Sequence, residues 1–371
     1  MMTLLIIAAV AMLAYANGAN DNFKGVATLF GSGTTGYGKA LAWATVATFA
    51  GAVVGAALSG ELLARFSGKG LVPESLTGEP IYAAAVALGA AATVLLATRL
   101  GLPVSTTHAL VGAIAGAGLA AGHTIDGLTL ATLFAAPLLV SPLLSLTATA
   151  VSSTLMRRVG CHFGLTGREC VCVGTPLEAE PSSVAAMQRS ISVEVDDVER
   201  CRERWSDRIA ALTLADTVDR LHYLSAGAVS FARGMNDAPK IAAPLLLVPL
   251  ATRGNIAPAA IVLTAMAMAV GGIVSGRRVG ETMSKKITPM TPGTGLAANL
   301  VTASIVLAAS PLGLPVSTTH VSCGALFGLG VSSGQGRLAA ITTILAAWIT
   351  TLPLGAVCGG LVMFVLRDRA F

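Results

Sequence analysis

Charge is the scarcest property of this chain. Asp, Glu, Lys and Arg together make up 12% of its 371 residues, while hydrophobic residues make up 54%, against about 25% charged in an ordinary soluble domain. With a mean hydropathy of +0.75, that shortage excludes a soluble globular protein and leaves a polytopic membrane protein. Basic residues are absent ahead of the first apolar run. Although Ala14, Tyr15 and Ala16 imitate a signal-peptide cleavage site, the run therefore reads as a retained first helix. Cysteine is sparse, and its spacing matches no compact zinc pattern. Cys161, His162, Cys170, Cys172 and Cys201 leave two readings of the central stretch open. One is a metal site; the other is a reduced, partly disordered linker with an acidic-basic helix over residues 193–208. Cys323 and Cys358 read as core packing residues.

What the chain has in quantity is long apolar runs. Segments of about 20 residues or more, enough to cross a hydrocarbon core, fall at residues 3–31, 40–64, 81–99, 127–156, 209–248, 256–276, 294–311 and 337–366. The first and fifth of these are interrupted by polar residues, and shorter Gly- and Ala-rich segments open at Pro103 and Pro315. Lipid offers the backbone no hydrogen-bond partners, so these segments are expected as helices, and the 41 glycines suit close helix packing. The expected organisation is an N-terminal membrane repeat over residues 1–156, a cytoplasmic linker over 157–208 and a C-terminal membrane repeat over 209–371.

The repeat is written in two motifs. Gly18, Ala19, Asn20, Asp21 and Lys24 return as Gly234, Met235, Asn236, Asp237 and Lys240, an offset of 216 residues. Leu100 to His108, reading Leu-Gly-Leu-Pro-Val-Ser-Thr-Thr-His, returns as Leu312 to His320 at an offset of 212 residues. Ionisable residues inside apolar segments are expensive and mark function. Polar breaks at matching places in two halves point to a transporter's central site. The basic linker is expected inside by the positive-inside rule. The loop after each half's second span then tests orientation: Arg65 and Lys69 in the first half face Arg277, Arg278, Lys285 and Lys286 in the second. The more basic loop belongs inside, which gives the halves opposite orientations. The fold expected is all-α, with two inverted-topology repeats, broken or re-entrant helices meeting at a central site, and about 10–12 membrane segments. Both termini would lie outside, against the mild counter-signal of Arg367 and Arg369.

Pro103 followed by Ser105, Thr106 and Thr107 reads as a helix start, with Pro in the first turn and hydroxyls near free amides. At membrane depth such a start suits a tetrahedral oxyanion, and Ser317, Thr318 and Thr319 supply a second one. Asp21 and Asp237 would repel an anion unless they hold cations. With Asn20 and Asn236 they offer oxygen ligands for Na⁺ or a titratable proton site. A cation shared between these carboxylates and the anion would couple the two affinities. Lys24 and Lys240, three residues beyond each Asp, share a helical face with it. Each either neutralises its Asp or turns its ammonium to the anion. His108 and His320 read as packing residues, with a proton relay as the sharper alternative.

These four motif copies, Gly18 to Asp21, Gly234 to Asp237, Pro103 to His108 and Pro315 to His320, resemble the inorganic phosphate transporter (PiT) family, secondary phosphate symporters that include some sulfate permeases. The resemblance covers the chain apart from its central loop. It implies cation and substrate binding at Asn20, Asp21, Asn236 and Asp237, and anion binding at Ser105, Thr106, Thr107, Ser317, Thr318 and Thr319. One departure stands out: the family's first motif commonly continues Val-Ala-Asn-Ala, whereas here Asp21 is followed by Asn22, Phe23, Lys24 and Gly25.

The resulting expectation is a multi-pass plasma-membrane symporter, prokaryotic by its compact length, that moves inorganic phosphate by alternating access with Na⁺ or H⁺ as coupling ion. It needs no cofactor and no nucleic-acid partner. Sulfate is the alternative substrate, and a homodimer is compatible with the Gly-rich surfaces. A passive anion channel has no need of two Asn-Asp motifs. An intramembrane hydrolase built on Asp21, Ser105 and His108 has no need of a duplicated nucleophile motif.

Overall fold

The computed structural model describes residues 2–58, 60–164, 169–176, 192–197, 205–247 and 256–368. Ten helices of at least 15 residues carry the fold, five in each half. The first half contributes α1 (Met2–Asp21), α2 (Tyr37–Leu58), α3 (Pro80–Arg99), α4 (Thr106–Ala120) and α5 (Ala136–His162). The second contributes α6 (Leu214–Ala242), α7 (Ile256–Ser275), α8 (Pro292–Ala309), α9 (Thr318–Ser333) and α10 (Leu338–Asp368). Six of the described helical segments are long and apolar enough to cross a membrane. A seventh counts if α7 is joined to Arg277–Lys286, from which it is bent by 70°.

Packing repeats when the halves are exchanged. Helix α4 lies on α10 and its counterpart α9 lies on α5, while α2 lies on α6 and α7 on α1. Each half therefore completes its packing on the other. Small residues make this possible, because interfaces in lipid gain from close backbone approach. A methyl group on Gly112 or Gly116 of α4 would overlap the carbonyl oxygen of Leu352 or Ala356 on α10. Gly324 and Gly328 of α9 stand in the same relation to Pro142 and Leu146 of α5. Helix α5 meets this surface with a stripe of buried Ser141, Ser145, Thr149 and Ser153, and Ser145 Oγ donates to the Val321 carbonyl at 2.7 Å. Its other face exposes Leu139, Val140, Leu143 and Leu144 to the lipid.

The repeats are inverted. The hairpin of α3 and α4 opens on the face where Arg367, at the end of α10, donates to the Ala121 carbonyl. The hairpin of α8 and α9 opens on the opposite face, where Arg337, just before α10, donates to the carbonyls of Lys285 and Ile287. Both hairpins have their tips at mid-depth, so the segments opening at Pro103 and Pro315 are re-entrant. Each tip is made the same way. Gly101 and Gly313, at φ of +71° and +65°, close α3 and α8 by the pattern in which the next residue's amide bonds back to the last helical turn: Leu102 to Ala97, and Leu314 to Ala309.

Two expectations are corrected. Pro103 and Pro315 do not sit in a first helical turn. They precede extended N-caps at Ser105 and Ser317, because the glycine turn uses up the residues next to the proline. Residues 193–208 are not helical where described. Strands β1 (Glu169–Pro176), β2 (Ser192–Asp197) and β3 (Trp205–Thr213) form an antiparallel sheet in the order β2-β1-β3, since alternating residues such as Val193 and Val195 suit a strand's two-residue period. Cys201 lies outside the described residues. Among the described residues no group of three His, Cys, Asp or Glu side chains gathers to hold a metal. Cys323 is fully buried, with its thiol 3.3 Å from Met283 Sδ, while Cys358 is half-buried.

Candidate functional site

The two broken helices and the two hairpin tips meet at the centre. Helix α1 ends at Asp21 and gives way to a tight turn over Lys24–Val26 before a last short helix, Ala27–Gly31. Its partner α6 runs through Asp237 and Lys240 to Ala242, with Pro239 inside it, and then tightens over Ala243–Leu247. The polar side chains at these breaks are almost entirely buried: Asn17, Asn20, Asp21, Lys24, Arg233, Asn236, Asp237 and Lys240 are each at most 4% exposed.

The bonding follows the exchange of halves. Thr106 Oγ1 lies 3.3 Å from Asp21 Oδ2, and Thr318 Oγ1 lies 3.3 Å from Asp237 Oδ2. Lys24 Nζ donates to Asp21, to Asn20 Oδ1 at 2.8 Å, to the Val104 carbonyl at 2.9 Å and to Thr319 Oγ1 of the other half at 2.7 Å. Lys240 Nζ donates to the Val316 carbonyl at 2.8 Å and to Thr107 Oγ1 of the other half at 3.2 Å, and stands 4.0 Å from Asp237. Asn20 holds the first tip through Thr98 Oγ1 and the Leu102 carbonyl. Asn236 holds the second through Ser310 Oγ and the Val316 carbonyl. Lys24 thus reaches its Asp across the break rather than along one α-helical face, and Lys240 reaches its own within α6.

The hydroxyls of Ser105 and Ser317 are committed elsewhere. Each caps its helix by accepting the amide of His108 or His320, at 3.1 and 3.2 Å. The first helix-internal bond is made by Ala109 or Val321, so the amides of Thr106, Thr107, Thr318 and Thr319 precede it and point inward with the positive ends of the helix dipoles. His108 and His320 stack across the centre with ring centroids 4.4 Å apart, and His320 also packs on Trp348.

Two functional-looking residues escape motif reading. Asn17 Nδ2 donates to Asp21 at 3.0 Å and Thr106 at 3.0 Å, and lies 3.4 Å from Asp237. Arg233, at the equivalent position of the second half, donates to Asn17 Oδ1 at 2.7 Å and Asn22 Oδ1 at 3.0 Å, and its Nε is 3.6 Å from Asp237. An arginine in an apolar segment, 216 residues from an asparagine beside the other Asn-Asp motif, is the signal that would have found both.

Cavities flank the centre on either side. One of about 220 Å³ is lined by Lys24, Thr28, Asn299, Thr302 and Ser322 together with Val229, Ala298 and Leu326. The other, about 270 Å³, is lined by Phe66, Ser67, Tyr82, Ala83, Val86, Ile114, Ala243 and Pro244. The Phe66 ring that lines the second lies 5.4 Å from Lys240 Nζ.

A family model described as the phosphate transporter family matches residues 17–359. Inorganic phosphate transporter 2-1, chloroplastic, of Arabidopsis thaliana is 29% identical, covering 93% of this chain and 68% of its relative. A relative from Pyrococcus horikoshii that carries the name of a phosphate permease is 27% identical, covering 95% of both chains. Among solved structures, one titled the sodium-dependent phosphate transporter superposes with a TM-score of 0.74 at 22% identity, covering 99% of both chains. That likeness carries the fold.

Proposed function

From the premise that the chain belongs to the phosphate transporter family, we propose that it is a secondary active transporter, coupling phosphate movement across the plasma membrane to a cation, Na⁺ or H⁺. The carrying observation is the two-fold centre. Two carboxylates, two lysines and two helix N-termini converge from inverted halves and are sealed from both faces. Such a site serves alternating access, because rocking the halves can expose the same groups to either side in turn.

In this reading the amides and hydroxyls of Thr106, Thr107, Thr318 and Thr319, with Lys24 and Lys240, take the anion. Asn20, Asp21, Asn236 and Asp237 take the coupling cation, and Ser105 and Ser317 hold the helix starts in shape. The face carrying Lys285, Lys286 and Arg337 is also the face from which residues 157–208 leave the bundle. The positive-inside rule makes that face cytoplasmic, with residues 1–156 and 209–371 as the two membrane repeats. Radiolabelled phosphate uptake into proteoliposomes tests the reading. Accumulation above equilibrium under an imposed Na⁺ or proton gradient supports it. Downhill equilibration alone would make the protein a channel, and accumulation of sulfate in place of phosphate would reassign the substrate.

A further inference from the structure

The surroundings of Lys24 are those of a metal cation. Four oxygens of four different kinds converge on Nζ: the Asp21 carboxylate, the Asn20 amide, the Val104 carbonyl and the Thr319 hydroxyl. An ammonium has three protons to donate, so the shell holds one more oxygen than the group can satisfy. Carboxylate, amide, carbonyl and hydroxyl oxygens are the ligands a hard cation takes. The position also favours positive charge, since α1 ends at Asp21 and presents the negative end of its dipole there. Lys240 occupies the equivalent place beside Asp237, with the Val316 carbonyl and the Thr107 hydroxyl.

The buried charge agrees. In their ordinary ionic forms, Asp21 and Asp237 are outnumbered by Lys24, Lys240 and Arg233, all sealed from water. The cluster therefore carries one net positive charge before any ion enters. A site with the two carboxylates alone would repel a phosphate dianion until cations had been bound. Here the counter-charge is covalently attached.

We infer that the ammonium groups of Lys24 and Lys240 permanently occupy the positions of exchangeable metal cations, so that this protein binds and moves phosphate without Na⁺. The inference rests on the phosphate-transport reading above, and it sets this chain apart from a solved protein titled for its sodium dependence. Of the two candidate coupling cations it leaves the proton.

Equilibrium binding of radiolabelled phosphate to the purified full-length protein, in choline chloride and in NaCl of equal ionic strength, is the deciding experiment. The same half-saturating concentration in both media is expected. A decrease of about tenfold or more on adding Na⁺ overturns the inference while leaving phosphate transport intact, whereas absence of phosphate binding in both media overturns the functional reading itself. The Lys24→Asn/Lys240→Asn double variant adds a gain of dependence: binding is lost in choline and returns in NaCl. A double variant that binds in choline as the wild type does also overturns it, and the wild-type comparison decides even where the variant fails to accumulate.

Discussion

The two flanks of the central site occupy equivalent places in the two halves, yet they are built from opposite materials. Ala298 and Leu326 on one side correspond to Val86 and Ile114 on the other at the 212-residue offset, and Thr28 corresponds to Pro244 at 216. Around these shared positions the Lys24 flank adds Asn299, Thr302 and Ser322, while the Lys240 flank adds Phe66 and Tyr82. Thr28 Oγ1 and Asn299 Oδ1 are 3.0 Å apart, and Asn299 Nδ2 reaches Ser225 Oγ at 3.3 Å, so polar contacts continue outward from Lys24. The frame that holds the ions is symmetric because the same groups must serve both directions. The approaches are not, and an asymmetric pair of approaches gives the two open states unequal energies.

The symmetry of the frame is tested most severely at the carboxylates. Asp21→Asn and Asp237→Asn are each expected to reduce concentrative phosphate uptake in proteoliposomes to background. Retention in one and loss in the other would show that the two half-sites do different work.

Arg233 and Asn17 probe the asymmetry next. Arg233→Asn leaves Asp237 without its arginine in a sealed site, and removing one partner of a buried ion pair costs about 3–5 kcal/mol. Asn17→Ala removes only neutral hydrogen bonds, worth about 1–3 kcal/mol. Thermal unfolding in detergent should therefore show the larger drop for Arg233→Asn; equal drops would mean that the arginine's charge is not what Asp237 depends on.

A smaller effect is expected where the halves interlock. Gly116→Ala and Gly328→Ala each push a methyl into a facing carbonyl, an overpacking cost of about 1–3 kcal/mol, and the two should lower the unfolding midpoint alike. The mildest pair is Ser105→Ala and Ser317→Ala, which each remove a helix cap worth about 1 kcal/mol. Their effect should appear in stability first. A large rise in half-saturating phosphate without loss of stability would place those hydroxyls on the anion instead.

Much of this was legible because membrane burial makes polar residues conspicuous. Asp21, Lys24, Asp237 and Lys240 stand out in an apolar background, and the repetition of Leu-Gly-Leu-Pro announced two equivalent turns before a helix. Inversion followed from the unequal basic loops. Arg233 was overlooked because it falls one residue outside the repeated motif, and its counterpart, Asn17, is of a different chemical type. The role of Ser105 and Ser317 was misjudged for a local reason. A hydroxyl before a helix can turn to its own backbone or to a ligand, and sequence does not show which way it turns. The central strands were missed because a mixture of Arg, Asp and Glu was read as a solvated helical face, although Val193 and Val195 alternate with polar neighbours.

The exchanged packing of α4 on α10 and α9 on α5 also determines the order in which the molecule can be finished. When the first half leaves the ribosome, the glycine face of its hairpin has no matching surface, since that surface belongs to the last helix to be synthesised. Insertion and assembly are therefore separate events. The first hairpin must wait in the bilayer with Asn20 and Asp21 beside it, and the site closes only after residue 368 has been reached and α10 has swung back against Gly112 and Gly116. A chain truncated before α10 would lose the first half's tip along with the last helix, however far apart the two lie in the sequence.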